Sequence, residues 1–254
     1  MIGIFDSGTG GMSVYREIRK VLPREKYVYF SDNAHCPYGD KSAEYVRERG
    51  RFITRFLLEK GADVIVIACN TATAAAVAAL RAEFPDVPFI GMEPAVKPAA
   101  LGTRSGVIGV LATAGTLKGS KYLTTKGKYG DGVRIVEAVG RGFVEIVEAG
   151  DLDGPHTEAV VSRSLQPLLD AGADTIVLGC THYPFLSGVI ERLAGPDVRV
   201  IDPAPSVARH LVDVMRERNL IRSDAASEQD IALVSSGDPA PLDRIFRMMK
   251  EDRI

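Results

Sequence analysis

Long apolar runs, an excess of charge of either sign and a cysteine framework are all missing from this chain, and each absence excludes a class of function. No apolar stretch approaches the roughly 20 residues that cross a bilayer. The formal net charge is -2 and the pI is near 6.1, so there is no electrostatic footprint for nucleic acid or a membrane surface. Three cysteines, odd in number and widely spaced, do not make a disulfide framework. Free thiols in a reducing compartment are the simplest account. The run Met1-Ile2-Gly3-Ile4-Phe5-Asp6 lacks the basic and apolar segments of a signal peptide, and a cytoplasmic location is expected. Several catalytic signatures are also missing: the Gly-Lys-Ser/Thr of a P-loop, C-x-x-C and H-E-x-x-H, and the G-x-S-x-G elbow of hydrolases.

What is present alternates. Short β-branched runs (2–5, 27–31, 64–68, 89–91, 107–111, 133–138, 175–178, 198–201 and 231–234) read as strands. Amphipathic segments between them (12–22, 42–60, 72–83, 116–123, 157–171, 184–193, 204–219 and 239–251) read as helices. Strands apolar on both faces, separated by helices, predict an α/β fold with mostly parallel sheets.

The chain also repeats itself. LLEKGADVIVIAC (57–69) and LLDAGADTIVLGC (168–180) share eight of thirteen residues at a constant offset of 111, where composition alone gives about one. Ile2-Gly3-Ile4 is echoed by Ile108-Gly109-Val110. Two similar lobes related by pseudo-twofold symmetry follow, with a cleft between them. Pro94 and Pro98, then Asp202-Pro203-Ala204-Pro205, mark the crossings. The expected division is 1–95 plus 208–254 for the first lobe and 96–207 for the second.

Ligands of open parallel sheets bind beyond the carboxyl ends of the strands. Three polar clusters stand there: Asp6-Ser7-Gly8-Thr9-Gly10-Gly11, Cys69-Asn70-Thr71 and Cys180-Thr181-His182-Tyr183. Each runs into a helix, whose positive end suits a carboxylate and is expected to lower a thiol pKa. Gly8-Thr9-Gly10 begins a dinucleotide fingerprint, with Asp32 as the ribose acid, but Ser13 stands where the third glycine belongs. Zinc held by Cys69, Cys180 and His182 is a further reading, without the usual ligand spacing. The reading preferred over both is a pair of thiols facing one substrate carbon, one removing a proton and the other returning one from the opposite side. No metal or cofactor is called for. Asp6 is placed to assist Cys69. The second lobe has Ala112 at the position equivalent to Asp6, so His182 is the substitute beside Cys180.

FDSGTGG (5–11), CPYG (36–39), ACNTAT (68–73), GVIG (106–109) and GCTHYP (179–184) resemble, in order, the signature segments of the glutamate racemases, within the aspartate/glutamate racemase superfamily. The resemblance implies cofactor-independent interconversion of L- and D-glutamate, D-glutamate for peptidoglycan, and a homodimer. Cys69 then acts on the D-isomer with help from Asp6, and Cys180 on the L-isomer with His182. Substrate contacts carry over to Asp6, Ser7, Tyr38, Gly39, Asn70, Thr71, Thr113, Thr116, Thr181 and His182. The family's further helper aligns with Glu148, although the prolines that usually precede it are missing and Glu145, one turn earlier, is a rival. Cys36 is read as structural. Two-thiol racemases of aspartate or hydantoins, a non-catalytic amino-acid-binding protein on the same scaffold, and nicotinamide-dependent hydride transfer at the glycine loop are the competing functions.

Overall fold

The computed structural model describes residues 1–221, 231–251 and 254. Its strands are β1 (Ile2–Asp6), β2 (Tyr27–Ser31), β3 (Val64–Ile67), β4 (Phe89–Gly91), β5 (Val107–Ala112), β6 (Arg134–Val139), β7 (Thr175–Gly179), β8 (Arg199–Ile201) and β9 (Ile231–Ser235). The helices between them are α1 (Met12–Val21), α2 (Ala43–Glu59), α3 (Asn70–Glu83), α4 (Val96–Gly102), α5 (Ala114–Leu117) and α6 (Ser120–Tyr129), followed by α7 (Phe143–Ala149), α8 (Pro155–Asp170), α9 (Ser187–Ala194), α10 (Ala204–Glu217) and α11 (Ala240–Lys250).

All strand pairs are parallel, in two sheets ordered β4-β3-β1-β2-β9 and β6-β5-β7-β8. Read backwards, the second order is β8-β7-β5-β6, which matches β4-β3-β1-β2 strand for strand. The edge strand β9 returns to the first sheet and pairs with β2. Residues 222–230 and 252–253, which belong to the C-terminal part of the expected first lobe, lie outside the described residues.

The period of two along each strand sorts side chains to opposite faces. Ile2, Ile4, Val64 and Val66 pack with Met12 and Ile18 of α1 and Leu211 of α10. Phe5, Ile65 and Ile67 pack with Ile53 and Leu57 of α2 and Leu80 of α3. In the second sheet Leu111, Ile176 and Leu178 meet α8, while Ile108, Val110 and Val177 meet α4.

The repeat has a local physical cause. Gly61 and Gly172 follow α2 and α8 at φ +87° and +84°, in the left-handed region that only glycine adopts cheaply. Ala62 N–H donates to Leu57 C=O and Ala173 N–H to Leu168 C=O, at 3.0 and 3.2 Å, so the same six-residue closure ends both helices. Leu57 and Leu168 then press on Gly3 and Gly109 of the neighbouring strands, where a Cβ would stand 3.3 and 3.0 Å from them.

Three helical features depart from the periodicity. The proline-containing crossing holds a helix, α4, because Pro98 sits in its first turn, where a missing N–H costs nothing. The expected helix 116–123 is two helices, α5 and α6, parted at Gly119, where a Cβ would stand 2.8 Å from Ala74 Cβ. Phe143–Ala149 is also helical; Gly142 and Gly150 bound it at φ +82° and +76°.

Candidate active site

Register places the reactive groups. Ile67 lies opposite Phe5 and Gly179 opposite Ala112, so Cys69 and Cys180 emerge at the same edge of equivalent strands. None of Asp6, Ser7, Cys69, Asn70, Thr71, Cys180, Thr181 and His182 is more than 6% exposed. Cys69 caps α3 and accepts from Ala72 N–H at 3.4 Å, and its thiol donates to Ser7 Oγ at 3.7 Å. Asp6 accepts Gly8 N–H at 2.8 Å and, across the cleft, the Thr181 hydroxyl at 3.0 Å. Cys180 Sγ lies 3.8 Å from His182 Nδ1, and His182 Nε2 lies 2.6 Å from Glu148 Oε1. Of the two glutamates, Glu148 is the one that reaches His182; Glu145 is exposed.

The glycine loop serves this second-lobe pair. A Cβ on Gly8 would collide with Glu148 Oε1, and one on Gly10 with the His182 ring. Thr9 donates its N–H and its hydroxyl to Glu148 Oε1 at 2.7 and 3.2 Å. The space a pyrophosphate needs is therefore filled by side chains of the other lobe, and the dinucleotide reading fails. Asp32 is no ribose ligand either: Arg49 grips it bidentately at 2.7 and 2.8 Å, and the Tyr38 hydroxyl donates to it.

Electrostatics separates the two thiols. Burial pushes Cys69 up, and the Asp6 charge pushes it further, outweighing Ala72 N–H and Ser7. The expected lowering by the start of α3 is thus overturned by desolvation, and Cys69 rests as a thiol. Burial likewise raises Asp6, against the pull of His182, Gly8 N–H and Thr181. For His182 burial works downward, but Cys180 and Glu148 outweigh it and hold the imidazole well above its ordinary value. Burial raises Glu148, yet His182 and Thr9 outweigh that and hold it low. At neutral pH the second lobe therefore presents an imidazolium between a carboxylate and Cys180.

The remaining predicted residues divide into two groups. Thr71 of the first lobe meets Thr113 and Thr116 of the second, with hydroxyl separations of 2.8 and 3.4 Å, and Thr113 and Thr116 are 2.9 Å apart. Both amide atoms of Asn70 are buried without a partner among the described residues, an arrangement that costs about 1–3 kcal/mol unless a ligand supplies one. Gly39 lies against Thr113, which a Cβ would approach to 3.2 Å. Tyr38 is buried with its hydroxyl committed to Asp32.

The sequence did not reveal Thr9, Ser13 or Arg49 as contributors. Ser13 Oγ donates to Thr181 C=O at 2.9 Å across the lobes. Its hydroxyl at the position that spoils the dinucleotide fingerprint was the available signal. Thr9 was readable only as a loop residue, and Arg49 as one more charge on α2.

Comparison with known proteins identifies the family of the chain. Over 248 residues the chain is 49% identical to the glutamate racemase of Stutzerimonas stutzeri, covering 98% of this chain and 93% of that one. The crystal structure of the glutamate racemase isoform RacE1 from Bacillus anthracis superposes with a TM-score of 0.86 at 30% identity, over 99% of this chain and 94% of that one. The Escherichia coli glutamate racemase, solved with L-glutamate and the activator UDP-MurNAc-ala, gives a TM-score of 0.86 at 32% identity, over 98% of this chain and 94% of that one. Residues 2–211 match the family described as Asp/Glu/hydantoin racemase, and the chain belongs to that family.

Proposed function

We propose that this protein interconverts L- and D-glutamate by proton transfer at Cα between Cys69 and Cys180, without a cofactor. The observation that carries the reading is the pair of buried thiols at equivalent strand ends of a duplicated unit, whose neighbourhoods are joined by the hydrogen bond from Thr181 to Asp6. Glutamate as substrate is supported by relatives of that name at nearly half identity over almost the whole chain.

For the L-isomer, the Cys180 thiolate takes the α-proton and the C–H electron pair spreads into the carboxylate. The Cys69 S–H then delivers its proton to the opposite face. Cys69 resting as a thiol is the donor state this direction needs. His182, oriented by Glu148, stands 3.8 Å from the Cys180 sulfur, within reach to exchange a proton with it. For the D-isomer the roles reverse, and Asp6 assists Cys69. The start of α3 and the side chains of Ser7, Asn70, Thr71, Thr113, Thr116 and Thr181 offer donors for the substrate carboxylates, with Gly39 and Tyr38 shaping the wall beside Thr113. We further take the protein to be a cytoplasmic homodimer, with lobes 1–95 plus 208–254 and 96–207, supplying D-glutamate for peptidoglycan; the free cysteines fit a reducing compartment.

Each enantiomer of glutamate and of aspartate, incubated in deuterated water, tests this. Deuterium must enter Cα of glutamate as optical rotation decays, and Cys69→Ala and Cys180→Ala must each stop racemisation. Full activity in both variants sinks the two-thiol reading, and turnover of aspartate alone sinks the substrate.

A further inference from the structure

Cys36 has no place in the two-thiol reaction, yet it stands beside it. Its Sγ, a carboxylate oxygen of Glu148 and a ring nitrogen of His182 all lie within 4.8 Å of one another, and among the described residues no other three metal-ligating side chains come together in this way. Nε2 is the nitrogen on that side, since Nδ1 faces Cys180. Zinc binds sulfur at about 2.3 Å and nitrogen or oxygen at about 2.0–2.2 Å, so its ligands stand roughly 3.5 Å apart. The 2.6 Å pair of His182 and Glu148 has to open by about 1 Å, and the sulfur, within 4.8 Å of both, has to close by no more than about 1.3 Å.

Gly8 leaves the necessary room. A Cβ there would strike Glu148 Oε1 and stand 3.1 Å from Cys36 Sγ, so an alanine would occupy the space between the ligands. A sulfur, nitrogen and oxygen donor set suits zinc or cadmium rather than magnesium or calcium. Three protein ligands leave a fourth position for water.

We propose that Cys36, Glu148 and His182 form an inhibitory site for zinc or another thiophilic divalent cation, which halts the reaction by drawing His182 away from Glu148. On binding, the Cys36 thiol proton and the Nε2 proton pass to solvent and the metal replaces both. Inhibition rests on the role proposed above for His182, whereas the metal site does not.

The test uses the full chain, with zinc chloride as the probe, reading metal stoichiometry by equilibrium dialysis beside racemisation. Wild type should bind one equivalent, lose activity and regain it with a chelator. Cys36→Ser and Cys36→Ala should each weaken zinc binding by at least about tenfold, the loss that even an outer-sphere partner causes, and continue to turn over at zinc levels that silence wild type. A protein carrying both Cys69→Ala and Cys180→Ala keeps Cys36 as its one thiol. Cadmium should still raise a thiolate charge-transfer band in it, whatever becomes of the Cys36 variants. Zinc affinity unchanged in the Cys36 variants, or a cadmium band lost with Cys69 and Cys180, overturns the site. Absence of racemisation in metal-free wild type would instead count against the proposed function, and dialysis would still decide the site.

Discussion

Replacing Glu148 by Gln keeps an oxygen for Thr9 and His182 and removes only the charge. The bond at stake is 2.6 Å long and sits on a side chain 18% exposed, so little of it is screened. A hydrogen bond between charged groups contributes about 1.5–3 kcal/mol, which is roughly ten- to a hundredfold in kcat/KM at 1.36 kcal/mol per decade. Enantiomers have equal free energy in water, which fixes the two values of kcat/KM at a ratio of one. The loss must therefore be equal in both directions, even though Glu148 bonds to His182 on the Cys180 side. The asymmetry appears in the pH profile. Burial lowers His182 and the Glu148 charge opposes it, so in E148Q the imidazolium is lost at lower pH and the alkaline limb moves down. Stability follows the same signs. The raised His182 contributes fully below about pH 6.5 and loses its contribution as pH rises through its folded value; the lowered Glu148 contributes fully above about pH 4.5 and loses it as pH falls through its own. Wild type and E148Q should differ most in Tm between those limits. Polarimetry from each enantiomer across pH measures the kinetic effect. An unmoved limb with kcat/KM within about twofold of wild type would refute the reasoning.

Gly10→Ala drives a methyl into the His182 ring and should abolish most activity at an overpacking cost of about 1–3 kcal/mol. Gly61→Ala, at φ +87° with open space around it, should lose about 1 kcal/mol through backbone strain and keep its kinetics; urea titration and initial rates separate the two. Asn70→Ala removes two partnerless amide atoms, so unfolding midpoints should hold or rise while KM for glutamate increases, and a destabilised variant with unchanged KM would contradict the assignment. Asp32→Asn breaks the grip on Arg49 and should cost about 3 kcal/mol at neutral pH. Burial raises Asp32 but Arg49 and Tyr38 hold it below the usual range. Its contribution is present above about pH 3.9 and fades as pH falls through the lowered value, so denaturant curves of wild type and variant should converge in acid.

The strands were readable because β-branched runs buried on both faces leave little else for the backbone to do. The duplication was readable because Gly61 and Gly172 carry the same helix-ending geometry, and geometry of that kind constrains residue identity. Helix α7 was hidden: Phe143, Val144, Ile146 and Val147 are buried but lie between two glycines, in a stretch too short to show a period. Cys69 and Cys180 could be placed from strand ends alone. The protonation of Cys69 could not, since helix position argues for a lowered value and only burial with Asp6 reverses the sign. Nor did local patterning show that Gly8 and Gly10 make room for Glu148 and His182, because the contact joins residues well over a hundred positions apart.

The near-complete burial of both sulfurs has a kinetic consequence on the two-thiol reading. A turnover that begins with Cys69 protonated and Cys180 ionised ends with the proton on Cys180. The enzyme that releases D-glutamate is therefore set to accept D-glutamate again, and it must hand a proton back through solvent before it can take another L-glutamate. Thiols only 5% and 6% exposed make that return slow unless the lobes part. Each passage through the site thus leaves a memory of its direction, erased at the rate at which water reaches the sulfurs.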